Sequence, residues 1–553
     1  MTSAGPATPD AWSAMGPQLI TYADRFGGSL QGVRHLMDGP FQGAFAGLHL
    51  LPFFVPYDGA DAGFDPVDHT SVDPRLGDWQ DITDLAARHT VMADAIVNHV
   101  SARSEAFRDV VERGEDSAWA PMFLTYDAVF PDGATEEDLT RIYRPRPGLP
   151  FTPMTLGGRQ RLVWTTFTPE QIDLNAAHPL GEAYLARVLS SLTSAGVRMV
   201  RLDAAGYVGK RAGTDCFMTD EAYAVMDRLS SSAHEQGAHI LVEVHGHHTQ
   251  QIEIARRVDL VYDFALPPLV LHTLMTGDTG PLAAWLRIRP ENSVTVLDTH
   301  DGIGVIDIGP SQLAPGRPGL LSAEQIDNLV ETIHANSGGS SRLATGAAAS
   351  NLDLYQVNCT FYDALGQNDR AYLLARLLQL FVPGIPQIYY VGLMAGSNDL
   401  DLLSRTGVGR DVNRHHYTAD EVDEALKRPV VSTLLDVLRA RNGHPAFAGN
   451  FTCTTDGPVM VLRWDSENGA TARLRADVSA MTFRARFSRR GDGDDGLDIT
   501  EASLGGARTT FSPDSRQPDR CAGSSTENGR GTGGHPATSS GFQAGADAAG
   551  PRT

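Results

Sequence analysis

Cysteine is scarce and scattered: Cys216, Cys359, Cys453 and Cys521 are the four in 553 residues, and none forms a CxxC pair. This excludes a disulfide framework and a cysteine-built zinc site, and predicts a reducing, cytoplasmic setting. No apolar run reaches the roughly 18 residues of a membrane span, and Met1 to Gly16 lack the basic and apolar regions of an export signal. Membrane and export are therefore not expected. Basic residues are outnumbered, 45 Lys and Arg against 67 Asp and Glu, for a net charge of −22. Such a surface repels polyanions and argues against nucleic acid as a partner, although a small anion can still bind where arginines converge. No GxGxxG or P-loop pattern is present, so no nucleotide or redox cofactor is implied.

Hydrophobic residues make up 42% and charged residues 20% of the chain, an ordinary globular composition, and the length calls for several folding units. Short continuous apolar runs, the mark of parallel strands buried on both faces, occur at Leu19–Tyr22, Gly47–Phe54, Val91–Val97, Val197–Leu202, His239–Val242, Leu260–Phe264, Val294–Leu297 and Ile385–Val391. Amphipathic stretches such as Glu182–Ser194, Glu221–His234 and Arg370–Leu380 lie between them. Eight strands alternating with helices predict an α/β fold, a (β/α)8 TIM barrel. The gap after Val97 is too long for one connection and holds Arg144-Pro-Arg-Pro-Gly-Leu-Pro150, which predicts an inserted domain. The expected organisation is an N-terminal extension over 1–16, a barrel over 17–446 interrupted by insertions at 97–177 and 303–366, a small β domain over 447–504, and a disordered Gly-, Ser- and Ala-rich tail over 505–553.

Four segments set polar or ionisable residues at the end of an apolar run: Asp94-Ala-Ile-Val-Asn-His99, Arg201-Leu-Asp203, Ile240-Leu-Val-Glu243 and Leu297-Asp-Thr-His-Asp301. Strand C-termini are where barrel active sites collect. Cleaving a glycosidic bond requires one acid to protonate the departing oxygen and one carboxylate to meet positive charge at the anomeric carbon. Asp203, Glu243 and Asp301 are the candidates for this chemistry.

These segments resemble the signature regions of the α-amylase superfamily (glycoside hydrolase family 13). With Gln18-Leu-Ile-Thr-Tyr-Ala-Asp24, Gly59-Ala-Asp-Ala-Gly-Phe-Asp-Pro66, Tyr143-Arg-Pro-Arg-Pro-Gly148, Asn351-Leu-Asp-Leu-Tyr-Gln356 and Gly409-Arg-Asp411, the resemblance narrows to the sucrose phosphorylases, from about Gln18 to about Arg463. It implies that the two insertions are domains B and B′, that the enzyme is a homodimer, and that it transfers the glucosyl unit of sucrose to phosphate with retention, or to other acceptors. It further implies Asp203 as nucleophile, kept ionised by Arg201, and Glu243 as acid/base, its apolar surroundings raising its pKa. Asp301 and His300 would stabilise the transition state, and His99 would contact the 6-hydroxyl. Asp61, Phe64 and Arg410 would close a blind glucose site, and Gln171 and Tyr207 would also contact substrate. Tyr143, Pro145 and Arg146 would form one side of the acceptor site, with Asp353, Leu354, Tyr355 and Gln356 on the other and His245 nearby.

Asp94 and Asn98 are expected to support the loop. His247 and His248 depart from the aromatic residues of that family. The run His245-Gly-His247-His248 invites a metal, but no partner Cys or HExxH spacing accompanies it, so none is expected. Phosphorolysis of another α-glucoside (glucosylglycerol, glucosylglycerate) and hydrolysis are the alternative activities. A non-catalytic scaffold is disfavoured by the presence of all three acids with Arg201 and His300.

Overall fold

The computed structural model describes residues 9–59, 61–144, 146–311, 313–314, 316–345, 356–489 and 496–505. Its centre is a closed barrel of eight parallel strands: β1 (Gln18–Thr21), β2 (Gly47–Leu50), β3 (Thr90–Ile96), β4 (Met199–Asp203), β5 (His239–Val242), β6 (Leu260–Asp263), β7 (Ser293–Thr295) and β8 (Ile385–Tyr389). Each strand pairs with its neighbours in chain order and β8 closes on β1, the simplest outcome of repeated right-handed βα units. Every apolar run above overlaps a barrel strand. The Gly47–Phe54 run divides: Pro52 cannot donate to a ladder, and Phe54–Val55 instead pairs antiparallel with Asp68–Val72.

Many of the helices start where a side chain accepts an orphan amide proton, and others, such as Pro429–Arg441, start at a proline that has none to offer. Thr219 Oγ1 accepts from Ala222 N–H at the start of the helix Asp220–Glu235, and the Asn368 side chain caps Asp369–Phe381. Asp369–Phe381 is buried almost all round, because the barrel covers one side and a five-stranded antiparallel sheet covers another. That sheet (Asn450–Asp456, Val459–Asp465, Thr471–Asp477, Thr482–Ser488 and Leu497–Thr500) alternates buried Met460, Leu462, Trp464, Leu474 and Phe487 with polar residues. Trp464 Nε1 donates to Phe381 O at 2.8 Å, tying it to the helix.

The 98 to 198 segment contributes the hairpin Phe151–Leu156/Arg159–Trp164 and the antiparallel pair His99–Ser101/Gln171–Asp173 above the barrel mouth. After β7, Ile303–Gly304 pairs with Gln356–Val357, and the helix Ala323–Asn336 lies between them in sequence. No helix among the described residues is long and apolar enough to cross a membrane.

The barrel interior is unusually polar. Gln387 Nε2 donates to Gln18 Oε1 at 2.8 Å, Tyr262 OH to Gln387 Oε1 at 3.2 Å, and His49 Nε2 lies 3.1 Å from Asp94 Oδ2. All five side chains are buried, and satisfied networks of this kind specify one arrangement of a core. Beside it, Arg376 Nη2 donates to Asp298 Oδ2 at 2.6 Å, with both residues buried. Asp298 stands three residues before Asp301, so this pair anchors the loop that leaves β7. Asp298→Ala leaves a buried guanidinium without its counter-charge and should cost about 3–5 kcal/mol, measured as a lowered denaturant midpoint. An unchanged midpoint would show the pair to be dispensable for stability.

Candidate active site

The site is assembled at the C-terminal ends of the strands. In β4 the two-residue repeat turns Arg201 and Asp203 to the same side, and the register opposes Arg201 to Asp94 of β3. The Arg201 guanidinium consequently bridges three acids. Nη1 donates to Asp94 Oδ1 at 2.6 Å and to Asp203 Oδ1 at 2.8 Å, and Nη2 lies 3.9 Å from Glu243 Oε2. Ala204, directly after β4, holds a left-handed φ of 55°, and its N–H donates to Glu243 Oε2 at 3.0 Å. A non-glycine residue in that region costs free energy that surrounding structure must supply, and here it orients a carboxylate.

Arg201, expected to keep Asp203 ionised, acts against the other influences on that carboxyl. Burial pushes the Asp203 carboxyl up, Arg201 opposes this, and Glu243 and Asp94 reinforce it. Arg201 divides its charge with Asp94, which His49 and Arg201 hold down to about 2 against its burial. Asp94, expected to support the loop after β3, therefore supports Arg201 within the barrel.

The closed end is strongly charged. Arg410 Nη1 lies 2.8 Å from Asp301 Oδ1 and 4.0 Å from Asp61 Oδ2, while Arg414 Nη2 lies 3.7 Å from Asp61 Oδ1 and its Nε donates to His300 O at 2.9 Å. Burial opposes ionisation of Asp61 and Asp301, yet the two arginines hold both carboxyls below the usual range. Burial pushes His300 down to about 3, leaving a neutral ring stacked on Phe64 with centroids 4.7 Å apart. His99 Nε2 lies 2.8 Å from Phe64 O and 3.0 Å from Gln171 Nε2, so the antiparallel pair above the barrel forms part of this wall.

The open end is aromatic. Tyr143 packs on Phe217 at 4.6 Å and faces Tyr207 at 6.4 Å, and the Arg146 guanidinium lies 6.0 Å from the Phe167 ring centroid. His245 stacks on Phe264 at 3.9 Å, with Nδ1 3.2 Å from Asp307 Oδ2. Burial pushes His245 down, but Asp307, with Glu243 and Asp301, more than offsets it and raises the ring to about 9. Gln356 Oε1 accepts from Gly302 N–H at 3.2 Å and Arg410 Nη2 at 3.4 Å.

Thus Asp61, Phe64, His99, Tyr143, Arg146, Gln171, Asp203, Tyr207, Glu243, His245, His300, Asp301, Gln356 and Arg410 line one cavity. Arg201 lies beneath it. Pro145, Asp353, Leu354 and Tyr355 lie outside the described residues, as does the tail from 506. Phe167 and Phe217 also line the cavity, and Arg414 and Asp307 stand behind it; all four escaped the reading of the sequence. Arg414, four residues beyond Arg410, was the nearest to a signal, whereas Asp307 sits in no motif.

His247 is turned away from His245: its Nδ1 caps the next helix and its Nε2 lies 3.0 Å from Pro318 O. Glu243, His245 and Asp301 offer ligand atoms within 4.8 Å of one another, but a metal there would compete with Arg410 for Asp301 and with Asp307 for His245.

A (β/α)8 barrel with three acids at its strand ends defines a glycoside-processing enzyme of the α-amylase type, and the α-amylase catalytic-domain family model matches residues 10–247. The sucrose phosphorylase of Agrobacterium vitis is 58% identical over 451 residues, covering 81% of this chain and 92% of that protein, and that of Bifidobacterium adolescentis is 54% identical, covering 81% and 90%. The crystal structure of sucrose 6F-phosphate phosphorylase from Thermoanaerobacter thermosaccharolyticum superposes with a TM-score of 0.79 at 35% identity, covering 88% of this chain and 97% of that one. The chain belongs to the sucrose phosphorylase family, whose members are hexosyltransferases.

Proposed function

We propose that this protein transfers the glucosyl unit of sucrose to inorganic phosphate, giving α-D-glucose 1-phosphate and fructose by two displacements with net retention. The observation that carries the reading is the shared guanidinium: Arg201 holds Asp203 at 2.8 Å and stands 3.9 Å from Glu243, at the floor of a cavity closed by the Asp61, Asp301 and Arg410 cluster. In the first step Asp203 Oδ attacks the anomeric carbon, the glycosidic bond breaks, and Glu243 gives its proton to the departing fructosyl oxygen. In the second, Glu243 takes a proton from the incoming phosphate, whose oxygen displaces Asp203. Arg201, in short contact with Asp203, favours the ionised form of that acid.

Asp301 with neutral His300 would bind sugar hydroxyls as positive charge grows, Asp61 and Arg410 would close the pocket beyond the glucosyl ring, and Phe64 would stack on its apolar face. His99 and Gln171 would contact hydroxyls on the insertion side. Arg146, protonated His245 and the Tyr143 and Tyr207 rings would receive first fructose and then phosphate. No metal or cofactor enters this scheme. A cytoplasmic homodimer, with domains B and B′ formed by 97–177 and 303–366, completes the proposal.

The test is to incubate the protein with sucrose and phosphate and measure both glucose and glucose 1-phosphate. Millimolar phosphate should divert nearly all glucosyl groups from water, because oriented binding outweighs the concentration of water. Arg146→Ala should raise the ratio of glucose to glucose 1-phosphate while altering fructose release less. Mainly free glucose from the parent in saturating phosphate would identify a hydrolase instead.

A further inference from the structure

On the face of the barrel opposite the cavity lies a cluster that the proposed reaction does not use. His234 stands in the last turn of the helix Asp220–Glu235, His239 is the first residue of β5, and Asp259 directly precedes β6. The turn between helix and strand folds both histidines toward the neighbouring strand. His234 Nε2 lies 2.8 Å and His239 Nδ1 3.7 Å from the same Asp259 Oδ2, and the three candidate ligand atoms lie within 4.8 Å of one another. Ligands on a tetrahedral ion at about 2.0–2.1 Å stand roughly 3.3 Å apart, so small side-chain rotations suffice to enclose one.

The surroundings restrict these groups as a ligand set requires. Ile240 N–H donates to Asp259 Oδ2 at 2.9 Å, fixing the carboxylate. Trp12 packs edge-on against the His239 ring at 5.0 Å. His239 Nδ1 is buried and makes no hydrogen bond, and at 3.7 Å Asp259 is beyond hydrogen-bonding reach. Native structures seldom leave such an atom unmatched. His234, whose side chain is 48% exposed, leaves one side open to water as a fourth ligand.

We propose that His234, His239 and Asp259 form a binding site for a zinc-class divalent ion. Two imidazoles and one carboxylate suit zinc, whereas calcium and magnesium require oxygen ligands. The ion would join the helix-to-β5 turn to the start of β6. The N-terminal face of such barrels serves stability, so the expected readout is resistance to unfolding rather than turnover.

The experiment uses the full chain, freed of metal by chelation, titrated with Zn2+ against a chromogenic chelator and followed in parallel by unfolding temperature. One equivalent should bind and raise the unfolding temperature by several degrees, with Ca2+ and Mg2+ having no such effect. His234→Ala and Asp259→Asn should each lose that equivalent and that rise. His234→Gln provides a second variant at the exposed position if the alanine form unfolds. Zinc at Glu243, His245 and Asp301 would appear as inhibition that persists in the variants, so the decisive quantity is the difference between parent and variants. Equal binding and equal temperature shifts in all of them, no zinc-dependent shift in the parent, or the same shift with Ca2+ would overturn the assignment.

Discussion

Asp203→Ala should yield a folded protein whose turnover of sucrose is reduced by about 10³-fold or more. The size follows from the site: Asp203 lines the cavity floor with Arg201 at 2.8 Å, and Asp301, another carboxylate lining the cavity, is engaged by Arg410 at 2.8 Å. With the side chain gone, nothing forms the glucosyl ester, and the direct reaction must use an acceptor on the wrong face of the sugar. The measurement is initial release of fructose and glucose 1-phosphate, together with a far-ultraviolet spectrum and unfolding temperature to establish the fold. Removing a carboxyl pushed up by burial also relieves Arg201 of one of its three acids, so stability should change little. Residual activity above about a thousandth of the parent rate would remove Asp203 from the role of nucleophile.

Glu243→Gln should reduce sucrose turnover by about 10²–10⁴-fold yet retain glucosyl transfer from α-glucosyl fluoride, whose leaving group departs without a proton. The amide can still accept a hydrogen bond from Ala204 N–H, which now fixes Glu243 Oε2 at 3.0 Å, so the left-handed turn after β4 is preserved. The two donors therefore separate acid catalysis from architecture. Equal losses with sucrose and with the fluoride would make Glu243 structural. Azide, which needs no deprotonation, should partly restore transfer to an acceptor in the variant, and no restoration would weaken the assignment of Glu243 as the base of the second step.

All eight barrel strands were legible because each is buried on both faces and reads as a short apolar run; their limits moved by only a few residues. The acids were legible because Asp203 ends its strand, while Glu243 and Asp301 follow theirs. The polar barrel interior was not. Asp94 looked like a loop support until register placed it beside Arg201, a relation between residues 107 apart in the chain. Arg414 and Asp307 were missed because each acts on a group supplied by another element, the His300 carbonyl and the Asp61 carboxylate for the first and the His245 ring for the second.

Local order in the chain determined where the strands lie, which residues stand at their C-terminal ends and, through the resemblance those residues carry, the chemistry to expect, because burial pattern and strand ends are properties of short segments. The protonation of that chemistry was decided by the tertiary structure alone. A carboxyl's charge depends on which other charges share its buried space, and only the pairing of β3, β4 and β5 put Asp94, Asp203 and Glu243 on a single arginine, while the packing of distant loops gathered Arg410 and Arg414 around Asp61 and Asp301.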